Sequence, residues 1–137
     1  MKRPTVEILV IGLGMACADK NADTGVEIDP GEPATFTEVR DEILLNSCAF
    51  SSCHGSQGAG DLTLTSEGAY DALVNVPSLG VPGETLVIPG NAADSYLMMK
   101  MAGADGITGD EMPPGSILDT DKLDAVRSWI DNGAQND

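Results

Sequence analysis

Four stretches of the chain place apolar residues at helical intervals, and none alternates apolar with polar for long enough to build a sheet. In the first, Thr35 and Glu38 have the spacing of a capping box, and Phe36, Val39, Ile43 and Leu44 fall on one side of a helix reaching about Asn46. Ser66 is placed to cap a shorter helix running through Val74, with Tyr70, Leu73 and Val74 grouped. The third begins after Pro89 and Gly90, near Asn91 or Asp94, presents Leu97, Met98 and Met101, and stops at Gly103. The last has Asp119 as its cap, Leu118 and Leu123 as a hydrophobic staple, Val126, Trp129 and Ile130 as its stripe, and Gly133 as its end. Glu84 to Ile88 reads as a short extended piece. The expected architecture is all-α, with about four short helices and no internal repeat.

Ahead of Thr35 the pattern is different. Lys2 and Arg3 precede an apolar run from Ile8 to Ala16 that is too short to span a bilayer, which is the layout of a signal peptide over residues 1–16. A buried terminal helix or strand fits this basic head and small-residue tail less well. Cys17 resembles the lipid-modified cysteine of bacterial lipoproteins, although Gly14 stands three residues before it where an aliphatic residue is usual, and Leu13 stands four before. Simple cleavage and lipidation both remain open. Residues 17–34 are polar and acidic, with turn formers at Asp29, Pro30, Gly31 and Pro33, and read as a flexible tether to a domain over residues 35–137. The expected location is exported, either periplasmic or held at a membrane as a lipoprotein.

Charge narrows the partners. The 137 residues include 22 Asp and Glu against 7 Lys and Arg, a net charge of −15. Removing residues 1–16 takes away two positive charges and one negative, leaving −16. Such a chain lacks the clustered cations that neutralise phosphates, so nucleic acid is excluded and the natural partners are basic. Hydrophobic residues make up 42% but aromatic residues only 4%, a thin supply of large side chains for a core that something else is then expected to fill. Sixteen Gly and eight Pro imply a loop-rich fold.

The chemistry lies where the first helix ends. Cys48, Ala49, Phe50, Ser51, Ser52, Cys53, His54 and Gly55 put two thiols beside the single histidine of the chain. Two cysteines on one short loop can each add across a vinyl group of a haem, and a histidine next to the second is then held beneath the iron as its proximal ligand. The usual spacing leaves two residues between the cysteines, whereas four stand between Cys48 and Cys53, so the loop has to bulge.

Together these features resemble the small, single-haem c-type cytochromes, in the variant with a longer loop between the cysteines. The resemblance covers Thr35 to Ala134 and includes Val87-Ile88-Pro89-Gly90 followed by Asp94-Ser95-Tyr96-Leu97, and the closing Trp129-Ile130-Asp131-Asn132-Gly133-Ala134. It implies a cytochrome c-like fold around one covalently bound haem, with thioethers from Cys48 and Cys53, His54 proximal and Met112 distal. Met112 is followed by Pro113 and Pro114, which hold the backbone extended and present the thioether with little freedom left to lose. The family's last helix crosses its first, which would set Trp129 and Val126 against Phe36, Val39 and Ile43. The proximal imidazole is oriented by a backbone carbonyl, for which the loop near Pro77 or Pro82 is the candidate, and Leu62, Leu64, Leu73, Leu86, Leu97 and Met101 would form an apolar envelope. The implied role is an electron carrier rather than an enzyme, exchanging single electrons with redox proteins that dock through basic surfaces.

Other readings of the same residues stay open. Cys48 and Cys53 are compatible with a simple disulfide in an exported protein. Zinc lacks a fourth local ligand beyond Cys48, Cys53 and His54, and a thioredoxin-like pair has a different spacing and setting. Met98, Met99 and Met101 are each available as an alternative distal ligand, or with His54 as soft ligands in a non-haem copper-binding or interaction module. Asp105 and Asp110 with Gly106 and Gly109 hint at calcium but fit no standard loop. A haem enzyme or sensor with an opening distal position is a third class.

Overall fold

The computed structural model describes residues 32–116 and 118–137, so the expected signal segment and nearly all of the expected tether lie outside the described residues. Helix α1 opens as Phe36–Glu38 and continues without a break as a π-helical stretch, Val39–Cys48. A short 3-10 turn at Ala59–Asp61 follows, then α2 (Ala69–Leu73), α3 (Tyr96–Ala102) and α4 (Thr120–Asp131). The described chain is all-α, with no strand among the described residues. Two isolated bridges, Val74 with Val87 and Pro77 with Thr85, join the ends of the segment between α2 and α3, which includes the expected extended piece. None of the described helices is long and apolar enough to cross a membrane.

Local chemistry explains the helix ends. The Thr35 hydroxyl accepts from the Glu38 amide at 3.2 Å while the Glu38 carboxylate accepts from the Thr35 amide at 2.7 Å, a reciprocal capping box. Helix α1 gains a second cap from far along the chain. Asp137 accepts from the Phe36 amide through Oδ1 at 2.8 Å, and from the Thr37 amide and hydroxyl through its backbone oxygen at 3.1 and 2.6 Å. Gly103 and Gly133 end α3 and α4 at φ +60° and +99°, as their positions in the sequence predict.

Three starts differ from expectation. Ser66 does not cap α2; the Thr65 hydroxyl accepts from the Gly68 amide at 3.0 Å, one residue upstream. Asn91 and Asp94 do not open α3, because Asn91 Oδ1 accepts from the Asp94 amide at 3.2 Å and Ser95 Oγ donates to Asn91 O at 2.7 Å, closing a turn that competes with the helix. Asp119 stands at the N-cap of α4 but its carboxylate caps nothing, and lies 4.0 Å from Lys122 Nζ instead.

The core joins α1 to α4. Val39, Leu44, Leu73, Val87, Val126 and Ile130 are fully buried, each such side chain contributing about 1.5–3 kcal/mol. Phe36 sits at its centre, its ring 5.2 Å from that of Trp129 and 5.2 Å edge-on from that of Tyr70, so the expected crossing of the first and last helices is present. The polar ends of both large rings are satisfied, Trp129 Nε1 donating to Gln135 O at 2.8 Å and the Tyr70 hydroxyl to Ala134 O at 2.9 Å.

Candidate functional site

The π-helical pitch of α1 decides where Cys48 goes. Nine residues separate Val39 from Cys48, about two turns of a π-helix at roughly 4.4 residues each but two and a half turns of an α-helix. Cys48 therefore comes round to the side of Val39, and packs against the core with Ile43 and Leu44. An α-helical period would carry it to the opposite face.

Beyond Cys48 the chain folds tightly on itself. The Cys53 and Gly55 amides both donate to Phe50 O, at 2.9 and 3.0 Å, and the His54 amide returns to Cys48 O at 3.1 Å. This is the bulge that four intervening residues require. It leaves no room at Gly55, where a Cβ would lie 2.5 Å from Ala49 O and 2.8 Å from Phe50 O.

His54 is held by the chain that follows it. Leu64 N donates to His54 O at 2.6 Å, and His54 Nδ1 lies 3.1 Å from Leu62 O. A carbonyl only accepts, so Nδ1 is the donor in this bond, and in the neutral ring Nε2 then keeps its lone pair, the tautomer a metal-ligating imidazole needs. The orienting carbonyl is thus that of Leu62, eight residues downstream, and not one near Pro77 or Pro82.

Cys48 and His54 line one wall of a cavity of about 410 Å³. Leu62, Leu64, Leu86, Leu97 and Met101 line it as expected, joined by Val76, Pro77, Leu79 and Val81 from the segment after α2. Leu73, expected in the same envelope, is instead fully buried in the core. Met112 and Met101 both reach the cavity, whereas Met98 and Met99 line a separate groove of about 310 Å³ beside α4. Cys53 is half-buried and does not line the cavity; its sulfur is 3.8 Å from Ser52 Oγ. Tyr96, Lys100 and Thr108 also line the wall, and of these Lys100 escapes a sequence reading because a lysine within a helix reads as solvent-facing.

Of the groups a covalently held porphyrin would need, Cys48, His54 and Met112 line the cavity, whereas Cys53 stands outside its lining. Among the described residues no three His, Cys, Asp or Glu side chains gather as a metal site, so neither the zinc nor the calcium reading finds a cage. The methionines of the copper reading are divided, since Met98 and Met99 do not share a cavity with His54. Cys48 and Cys53 are free thiols. The cavity lies within the roughly 300–1,000 Å³ range of cofactor sites, is walled mostly by apolar side chains, and presents an imidazole and two thioethers.

Burial, reinforced by the Cys53 sulfur, pushes the Cys48 thiol from an ordinary 9.0 up to about 11. In the chain without haem, the folded state then keeps a proton that the unfolded state gives up between those values. Stability is full below pH 9.0 and is expected to fall by about 2 kcal/mol as pH rises to about 11. Urea unfolding of the unloaded chain across this window, compared with Cys48→Ala, measures it. Equal pH dependence in the two would show that the thiol is not held this way. Comparison with family models, curated proteins and solved structures gives no match for this chain.

Proposed function

We propose that this protein is a single-haem c-type cytochrome that carries one electron between redox partners. The observation that carries the reading is that Cys48, His54 and Met112 line one apolar cavity, with His54 Nδ1 tied to Leu62 O so that Nε2 is the nitrogen left to bind metal. A cytochrome c-like fold belongs to the same proposal. Cys48 and Cys53 would hold the haem through thioethers, and His54 and Met112 would supply its protein ligands.

Bound in this way, haem supplies a one-electron couple whose ferrous form a thioether ligand favours. The chain's own contribution is positional. Leu62 O orients the His54 ring, the chain after Met112 closes a turn in which the Ser116 amide donates to Pro113 O at 3.1 Å rather than the extended strap expected from Pro113 and Pro114, and the apolar walls would keep water from the metal. With His54 and Met112 both supplied by the chain, electron transfer would require little movement of either residue. The strongly acidic chain favours partners with basic docking surfaces, steered at low ionic strength.

Expression with cytochrome maturation machinery tests the reading. A sharp ferrous α-band, and haem that resists acid-acetone extraction, are expected; colourless protein with free thiols sinks the proposal and leaves a non-haem module. Met112→Ala is expected to lower the midpoint potential and to convert a ferrous protein that excludes carbon monoxide into one that binds it stoichiometrically. If Met112→Ala changes neither property and Met101→Ala changes both, the distal ligand is Met101, the other methionine on the cavity.

A further inference from the structure

Met112 sits at the end of a loop, 103–112, that contains three glycines and no regular structure, yet a ligand to iron has to be held still. Beyond the helix-ending bond from the Ala104 amide to Met99 O, four hydrogen bonds tie this loop to α3, through two side chains and one carbonyl on that helix. Lys100 Nζ donates to Thr108 O at 2.9 Å and also to Asp110 O. The Lys100 carbonyl accepts from the Met112 amide at 2.8 Å. One turn earlier, the Tyr96 hydroxyl accepts from the Thr108 amide at 3.0 Å. Helix α3 is itself fixed, because the Tyr96 and Leu97 amides donate to Thr85 O and Leu86 O at 2.9 Å each.

We propose that Lys100, assisted by Tyr96, is a latch that sets how often Met112 leaves the iron. This inference rests on the haem reading above. Lys100 is a positioning residue: it would touch neither iron nor thioether, and acts by clamping the loop at positions 108, 110 and 112 from a single point on α3. A charged donor is the effective choice, because hydrogen bonds from an ammonium are stronger than neutral ones and two carbonyls share this one. The segment bends at Thr108, Gly109 and Asp110, with Gly109 at φ +73°, and this curvature brings the carbonyls of Thr108 and Asp110 to the same ammonium. The latch makes Met112 dissociation a local opening of the loop, with a population set by these contacts.

Exogenous imidazole measures that population, since it binds ferric iron only when Met112 is off and its apparent affinity scales with the open fraction. In the haem-loaded protein, Lys100→Leu is expected to bind imidazole about tenfold more tightly than wild type, and Lys100→Arg, which keeps a charged donor, to return within about twofold of it. Tyr96→Phe is expected to tighten binding by about threefold and serves if Lys100→Leu fails to load haem. The long-wavelength thioether-to-iron band should weaken on warming at a lower temperature in Lys100→Leu, while the ferrous α-band stays. Wild-type imidazole affinity in both Lys100→Leu and Tyr96→Phe, with haem attached and the thioether band present, overturns the latch and leaves the haem reading standing. Wild-type protein without covalent haem, or without the thioether band, removes the haem or Met112 assignment itself, and the latch with it.

Discussion

Replacing His54 with Ala is expected to abolish the low-spin haem spectrum completely while leaving the protein folded. The chain has one histidine, so no second imidazole can take its place, and the bond from Nδ1 to Leu62 O is the one side-chain hydrogen bond of His54 among the described residues. Losing that bond at a half-buried position costs about 1 kcal/mol, too little to unfold a domain of this size. If Cys48 and Cys53 attach haem as proposed, the substitution leaves them in place, and the added mass of haem is expected to persist wherever attachment itself tolerates the change. Visible spectroscopy with intact-mass measurement separates the two effects. A native ferrous spectrum from His54→Ala would mean that the imidazole does not bind the iron, and the proposed site would have to be abandoned.

Gly55→Ala is expected to be the most damaging of the conservative substitutions, at about 3 kcal/mol. The new methyl group would meet Ala49 O at 2.5 Å, Phe50 O at 2.8 Å and Phe50 C at 3.0 Å, all of them backbone of the loop between the cysteines. Side chains can swing aside, but this backbone moves only by displacing Cys48 and Cys53, so the strain reaches the upper end of the 1–3 kcal/mol usual for overpacking. Gly80 is the control, since nothing lies within 4 Å of a Cβ built there and its φ is unremarkable. The comparison is made on urea midpoints and on the fraction of chains that carry haem. Equal values for Gly55→Ala and Gly80→Ala would show that the loop has slack the structure denies.

What could be read from sequence was chemistry acting over a few residues. The Thr35 and Glu38 capping box and the glycine stops at Gly103 and Gly133 depend on side chains or φ values within one turn, and each is in place. The all-α class followed from apolar spacing. Errors of a residue arose where two hydroxyls competed, as Thr65 and Ser66 do ahead of α2, or where a side chain had an alternative bond, as at Asn91. The candidate site was legible as a set of residue types but not as an arrangement. A 3.6-residue period gives no warning of the π-helical pitch that turns Cys48 inward, because the buried pair Ile43 and Leu44 suits either helix. The carbonyl facing His54 belongs to an irregular loop, where no periodicity indicates which way a backbone oxygen points. Leu73 and the cavity-lining leucines are alike in sequence, and only the packing of α2 separates them.

The grip of Asp137 on Phe36 and Thr37 reaches beyond the capping of one helix. Terminal turns ordinarily fray at almost no free-energy cost. Here the first turn of α1 and the last described residue occupy each other's hydrogen-bonding groups, with the Phe36 ring packed at a tilt against Trp129. Neither segment can peel away without releasing the other, so the first turn of α1 and the residues around Asp137 are expected to melt as one cooperative unit. That unit includes the start of the very helix whose far end bears Cys48, which makes the quiet end of the domain a guarantor of rigidity at its reactive one.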